Sequence, residues 1–203
     1  MKRVYPIVNL DRGEELREEF VRWLFSFDPR WLQIRMKNSP HKELVSCAQR
    51  LIELRDAAGV ATRIIVNDSI DAALEAGADG VHLGQEDLSE LGGKRLPKGL
   101  EIGISTHNLE QVRVANRLDI AYIGFGPVFK TSTKDTKNRE VFPIAKEAAA
   151  LSTHPIVFIG GLDLENIASL PQGGSIFYAA ISALEAEFLK YNKNKVAKQE
   201  KKY

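Results

Sequence analysis

The sequence predicts an α/β fold, a single-domain (β/α)₈ TIM barrel, on three observations. Short runs rich in β-branched residues alternate with longer stretches of helical period, the pattern of a parallel sheet with crossover helices. Eight such runs fall within about 180 residues, one per barrel stave, which favours a closed barrel with short helices over an open doubly wound sheet. No linker or break in composition interrupts the series before Tyr191, so the barrel is expected over residues 1–190.

The first strand candidate covers residues 4–9. The second, 31–37, alternates Leu32, Ile34 and Met36 on one face with Gln33, Arg35 and Lys37 on the other. Its apolar face should meet the helices and its polar face should point into the barrel. Ser39-Pro40 then opens a helix as N-cap and first helical residue. The apolar face of that helix runs through Leu44, Cys47, Leu51, Leu54 and Ala58, and Gly59 closes it. Strands three to five are expected at 63–67, 80–83 and 101–105, after which Asn108 with Gln111 resembles a capping box ahead of Val112, Val114 and Ala115. Strands six and seven follow at 120–125 and 155–159. Asp163 can cap a helix containing Ile167 and Leu170, and the eighth strand lies at 175–178. In the last segment, 191–203, Lys193, Lys195, Lys198, Lys201 and Lys202 lie without an apolar face, and a disordered tail or frayed helix is expected.

The bulk numbers exclude several classes of function. With 203 residues, 44% hydrophobic and 27% charged, the chain suits one globular domain with a sizeable core. A net charge of +1 writes no general attraction to nucleic acid or an anionic membrane into the surface, so any anion site must be local. Asn9, Asp11 and Arg12 come too early for a signal peptide, and no apolar run is long enough to span a bilayer. The single Cys47 excludes an intramolecular disulfide and a cysteine zinc cluster, and it suits a reducing cytoplasm. On an apolar helix face it reads as a packed thiol rather than a nucleophile.

Chemistry in such a sheet belongs at the C-terminal ends of the strands, and the unusual residues concentrate there. Arg35 and Lys37 point inward from strand two. Burying them without a partner would cost several kcal/mol, so either a bound anion or ion pairs with Asp68 or Asp87 are expected. Asp68 and Asp87 end strands three and four, and two hard oxygen ligands with open positions suit a Mg²⁺ shared with substrate phosphates. Helix capping is the competing explanation. Asp87-Leu88-Ser89-Glu90 has capping-box spacing, and Asp68 precedes a helix starting near Ile70. His82 should face the lumen, to meet either a ligand or a core polar neighbour, while His107 at the next strand end suits N-capping or catalysis. The loop 124–135 carries Thr131, Ser132, Thr133 and Lys134, donors able to close over a phosphate, and lacks the spacing of a nucleotide-hydrolysing loop. Gly160-Gly161 after strand seven permits close backbone approach where barrels often bind phosphate.

Taken in order, several stretches resemble the thiamin phosphate synthase family from Tyr5 to about Leu184. They are Gln33-Ile34-Arg35-Met36-Lys37, Val66-Asn67-Asp68, Asp79-Gly80-Val81-His82-Leu83-Gly84-Gln85-Glu86-Asp87, Gly103-Ile104-Ser105-Thr106-His107, Gly124-Phe125-Gly126-Pro127-Val128-Phe129, Thr131-Ser132-Thr133-Lys134 and Ile159-Gly160-Gly161. The resemblance implies a cytoplasmic transferase that joins hydroxymethylpyrimidine diphosphate to thiazole phosphate with release of diphosphate. It further implies that Gln33 holds the pyrimidine, that Arg35, Lys37, Asn67, Ser105 and Lys134 hold the diphosphate, and that Asp68 and Asp87 hold Mg²⁺. Thr131, Thr133 and Gly161 would hold the thiazole phosphate, and Arg35, Lys37, Ser105 and Lys134 form the implied catalytic set. The partners are then small molecules, with neither nucleic acid nor membrane, and a homo-oligomer is left open. The chain departs from the family pattern at Asn9, Met36 and Ala179 and lacks the usual glycine around Arg139 and Glu140. Two further readings stand beside the synthase: a thiazole tautomerase of the same barrel type with His107 as acid or base, and a non-catalytic regulator that binds thiamin intermediates.

Overall fold

The β-branched runs pair in sequence order and close on themselves. In the computed structural model, which describes residues 3–10, 13–90, 96–130, 141–163 and 165–200, the eight parallel strands form a closed barrel. They are β1 (Val4–Leu10), β2 (Trp31–Met36), β3 (Arg63–Asn67), β4 (Gly80–Leu83), β5 (Glu101–Thr106), β6 (Tyr122–Phe125), β7 (Ile156–Phe158) and β8 (Ile176–Ala180). Period-two alternation splits their side chains into two clusters. Leu32, Ile34, Ile64, Val66, Val81, Leu83, Ile104 and Phe125 face outward and share one core with the helices. Tyr5, Ile7, Trp31, Ile65, Tyr122, Val157, Phe177 and Ala179 fill the lumen. Strand two divides as its pattern predicts, with Met36 packed toward the helices and Gln33 buried inside.

The helices are α1 (Glu18–Phe25), α2 (His41–Ala58), α3 (Ile70–Ala76), α4 (Gln85–Glu90), α5 (Leu109–Ala115), α6 (Ala145–Leu151) and α7 (Ser182–Glu200). Helix α2 starts one residue later than expected. Pro40, with ψ at 145°, is extended and occupies the cap position itself, so Ser39 is not the N-cap. Gly59 closes the helix in the left-handed conformation that glycine reaches without strain, at φ 64°. Cys47 packs against the outer core, and burial pushes its thiol up to about 11, so it stays protonated and inert. The expected helix after Asp163 is one 3₁₀ turn, Asn166–Ser169, with the Asp163 carboxylate accepting from the Glu165 and Asn166 N–H groups. Helix α7 carries its backbone into the Lys-rich segment as far as Glu200. Phe188 and Tyr191 of α7 pack their rings on Trp23.

The expected cap of α5 is present. The Asn108 side chain accepts from Gln111 N at 2.9 Å. The Gln111 side chain reaches back one residue further than a capping box requires, accepting from His107 N at 2.6 Å. Asn108→Ala should therefore cost about 1 kcal/mol of stability, measurable as a lower urea midpoint with an unchanged slope.

The two ends of the barrel differ. At the N-terminal end the Trp31 indole donates to Glu101 at 2.7 Å, Arg30 lies 4.3 Å over the Trp31 ring, and Asp79 is shared between Arg55 and Arg63. Aromatic rings and ion pairs plug that end. The opposite end is left for a cavity. Among the described residues, no helix is long and apolar enough to cross a membrane.

Candidate active site

The C-terminal end of the barrel opens into a cavity of about 980 Å³. Its wall gathers Gln33, Arg35 and Lys37 from the β2 end, Asn67 and Asp68 after β3, and Asp87 from α4. Ser105 and His107 from the β5 end and Gly161 after β7 complete it. Thr131, Thr133 and Lys134 lie outside the described residues.

The backbone explains why the two carboxylates are presented. Asp68 adopts φ 63°, a left-handed conformation rare outside glycine, and its N–H is tied to the His82 carbonyl of the neighbouring strand at 2.8 Å. Such a residue persists where the surrounding structure over-determines it, often at functional sites. Asp68 does not cap α3. That role belongs to Ser69, whose hydroxyl accepts from Ala72 N at 3.1 Å. Asp87 is not the N-cap of a helix, but the capping reading holds in another form, because its carboxylate ties off the N–H of the residue before α4. It lies in the first turn of α4, and one carboxylate oxygen accepts from Gly84 N at 2.6 Å. This holds the carboxylate against the start of its own helix, at the cavity wall.

The cations sit differently from each other. Arg35 is half-buried and donates to the Asn9 side-chain oxygen on β1, so the departure at Asn9 still supplies an acceptor for the arginine. Lys37 lies beyond the end of β2 and is exposed at the rim. Burial therefore bears on Arg35 and not on Lys37, which corrects the expectation of two buried cations.

Deeper in the lumen runs a chain of polar side chains. Gln33 Nε2 donates to the Tyr5 hydroxyl at 3.2 Å, and the Tyr5 and Tyr122 hydroxyls are 2.6 Å apart. Tyr122 in turn lies 3.0 Å from His82 Nδ1, and His82 Nε2 lies 2.8 Å from Ser105 Oγ. Burial raises the pKa of both phenols well above the usual tyrosine range, so both stay protonated at any working pH. His82 thus meets core neighbours and also lines the cavity. Tyr5 and Tyr122 went unmarked as site residues in the sequence. Nothing in the sequence marks them; in the structure Gly103 pairs with Tyr122 in register, and a Cβ there would lie 2.1 Å from the phenol ring.

The His107 side chain is held by the end of the neighbouring strand β6. Its Nδ1 bonds the Gly126 carbonyl, which can only accept, so Nδ1 carries a proton. On the β7 side, Gly160 and Gly161 have φ of 102° and 62°. A Cβ on Gly161 would lie 2.4 Å from the Lys130 carbonyl oxygen. Gly161→Ala should force that wall apart and cost about 1–3 kcal/mol. Thermal unfolding would show a lowered Tm.

The family model for thiamine monophosphate synthase matches residues 4–184. The chain belongs to the thiamine monophosphate synthase family. It is 34% identical to the thiamine-phosphate synthase of Koribacter versatilis, over 91% of this chain and 89% of that one. With the thiamine-phosphate synthase of Synechococcus sp. it shares 36% identity over 75% of this chain, and the match spans only 43% of that relative's length. Among solved structures, the thiamine phosphate pyrophosphorylase from Pyrococcus furiosus superposes with a TM-score of 0.71 at 28% identity, covering 90% of this chain and 86% of that one. Every residue lining the cavity lies within the stretch that the thiamine monophosphate synthase model matches. One departure from the family pattern is visible in the wall: Ala179 offers a methyl group there, while Ser182, three residues on, lines the same cavity at the start of α7.

Proposed function

We propose that this chain joins hydroxymethylpyrimidine diphosphate to thiazole phosphate, giving thiamin phosphate and diphosphate. The observation that carries the reading is the convergence of Arg35, Lys37, Asn67, Asp68, Asp87 and Ser105 on one cavity at the barrel mouth. Two carboxylates on neighbouring loops, presented by a left-handed backbone and a helix first turn, fit a Mg²⁺ that keeps open positions for phosphate oxygens. Among the described residues no cluster of three or more such ligands exists, which suits a metal held jointly with substrate rather than caged by protein.

The C–O bond to diphosphate breaks first, its electron pair leaving with the diphosphate oxygen, and the thiazole nitrogen then forms the C–N bond at the pyrimidine methylene carbon, a dissociative substitution. Positive charge develops on the methylene and negative charge on the departing oxygens. The chain's task is therefore electrostatic: Arg35, Lys37 and Lys134 offset the growing charge, and Asn67 and Ser105 donate hydrogen bonds to it. Mg²⁺, when bound at Asp68 and Asp87, adds charge stabilisation at the leaving group. Gln33 gives an amide hydrogen to Tyr5, which leaves its oxygen as an acceptor for a substrate N–H. At the thiazole end Gly160-Gly161 brings backbone close to the phosphate, Thr131 and Thr133 donate to it, and Ser182 supplies a hydroxyl that Ala179 lacks. We place the reaction in the cytoplasm, where the free Cys47 thiol remains reduced.

His107 favours one second reading. With Nδ1 tied to the Gly126 carbonyl, Nε2 is the ring nitrogen left toward the cavity for acid–base work, so a thiazole tautomerase is the competing activity. Purified protein with both substrates and Mg²⁺ separates them. Formation of thiamin phosphate supports the synthase, whereas thiazole isomerisation without coupling supports the tautomerase.

A further inference from the structure

We propose that Tyr5, Tyr122 and His82 form a one-way hydrogen-bond relay from Gln33 on one barrel wall to Ser105 on the other, turning the Ser105 proton toward the leaving diphosphate. It rests on the synthase reading, and it makes Tyr122 and His82 positioning residues for that reaction.

Only the Gln33 end is fixed as a donor, and the proposed direction is the one in which each later proton finds an acceptor. The Gln33 amide nitrogen can only donate, so the Tyr5 oxygen accepts from it. The Tyr5 and Tyr122 hydroxyls are 2.6 Å apart and either could donate; we assign Tyr5 as the donor, the choice that gives its proton an acceptor. Tyr122 then gives its own proton to His82 Nδ1, 3.0 Å away. An imidazole that accepts at Nδ1 carries its proton on Nε2, which donates to Ser105 Oγ at 2.8 Å. Ser105 Oγ has accepted, so its remaining proton is free to donate. Among the described residues His82 Nε2 is the hydrogen-bond partner of that hydroxyl, and Ser105 lines the cavity. On the synthase reading, the diphosphate would be held on that side, by Arg35, Lys37 and Asn67.

Two further features hold the relay in place. The Gln85 side-chain amide donates to the Ser105 carbonyl at 2.6 Å, fixing the backbone under the hydroxyl. The rings of His82 and Tyr122 stack at 5.6 Å, and two strand glycines make the room. A Cβ on Gly103 would meet the Tyr122 ring at 2.1 Å, and one on Gly124 would press on His82 Cε1 at 3.0 Å. Glycine weakens a strand interior, and its use at both positions is what close approach of these rings requires. The relay also joins the two halves of one substrate. A ligand that reorients Gln33 changes the donor state of Ser105 through four hydrogen bonds.

The chain of bonds could run the other way only if the proton sat on His82 Nδ1, with Ser105 donating inward. Nitrogen-15 NMR of the unmodified protein labelled at its four histidines reads this directly, with His82 assigned by its loss in His82→Asn. A proton on Nε2 with a bare Nδ1 is expected. A ring protonated on Nδ1, or on both nitrogens, overturns the relay.

Kinetics give a second test. Tyr122→Phe should lower kcat by roughly 10- to 100-fold, the range for losing one hydrogen bond to a charged group, with little change in KM. In a Ser105→Ala background it should cost almost nothing more, and full additivity would overturn the proposal. Tyr5→Phe, one step further from Ser105, repeats the test if Tyr122→Phe folds poorly. Absence of turnover in the unmodified chain would sink the synthase reading, while the His82 ring would still decide the relay.

Discussion

Asp68→Ala and Asp87→Ala should each lower Mg²⁺-dependent kcat by about 10²–10³-fold, the scale seen when one group that stabilises developing charge is removed. Ser69 caps α3, so losing the Asp68 carboxylate should leave that helix start intact. Asp68→Ala also places a residue less tolerant of φ 63° in a left-handed position, which adds a modest stability cost. Asp68→Asn tolerates that conformation while removing the charge, so it separates the two effects. Asp87 differs, because its carboxylate also accepts from Gly84 N. Asp87→Asn keeps an acceptor there, and a loss of turnover without a drop in Tm would assign the effect to charge. Full turnover in both asparagine variants would remove the two carboxylates from the reaction.

Trp31→Ala should be the most destabilising single truncation, by about 3–5 kcal/mol, the usual range for deleting a large core aromatic. Trp31 is 1% exposed and lies 4.8 Å from the Tyr122 ring and 4.9 Å from the Phe177 ring. Its indole N–H holds Glu101 at 2.7 Å, and Arg30 covers its face. The substitution opens a cavity under the phenols, leaves Glu101 without that donor, and removes the floor on which the lumen hydrogen bonds rest. Urea unfolding should show the loss, and turnover of the remaining folded protein should fall as Tyr122 relaxes. Leu189→Ala, on a side chain 54% exposed, should change stability by no more than about 0.5 kcal/mol and serves as the comparison.

The barrel was legible because its signals are local and repeated. Strand two is the clearest case. Its alternation alone sent Leu32 and Ile34 to the helices and Gln33 into the lumen, because a strand has a strict period of two and a closed barrel has only two faces. Helix starts were harder to read. Ser39, Asp68 and Asp87 all carry side chains that can cap, and the choice among neighbours depends on backbone angles that composition does not encode: Pro40 stayed extended and Ser69 won over Asp68. The site was read through its charged residues and the family resemblance. Tyr5 and Tyr122 escaped, because a tyrosine on an inward strand position looks like any core aromatic until its hydroxyl is seen 2.6 Å from another. Lys37 failed for a related reason. Alternation gives the side of a strand and says nothing about depth, and β2 ends at Met36, one residue short of it.

The most direct test of the account is a calorimetric titration of inorganic diphosphate into the protein with and without Mg²⁺. The account predicts binding that tightens at least about tenfold with the metal in the unmodified chain, with the gain abolished in an Asp68→Asn, Asp87→Asn double variant. Equal affinity with and without Mg²⁺, or a metal-dependent gain that survives in the double variant, would contradict it.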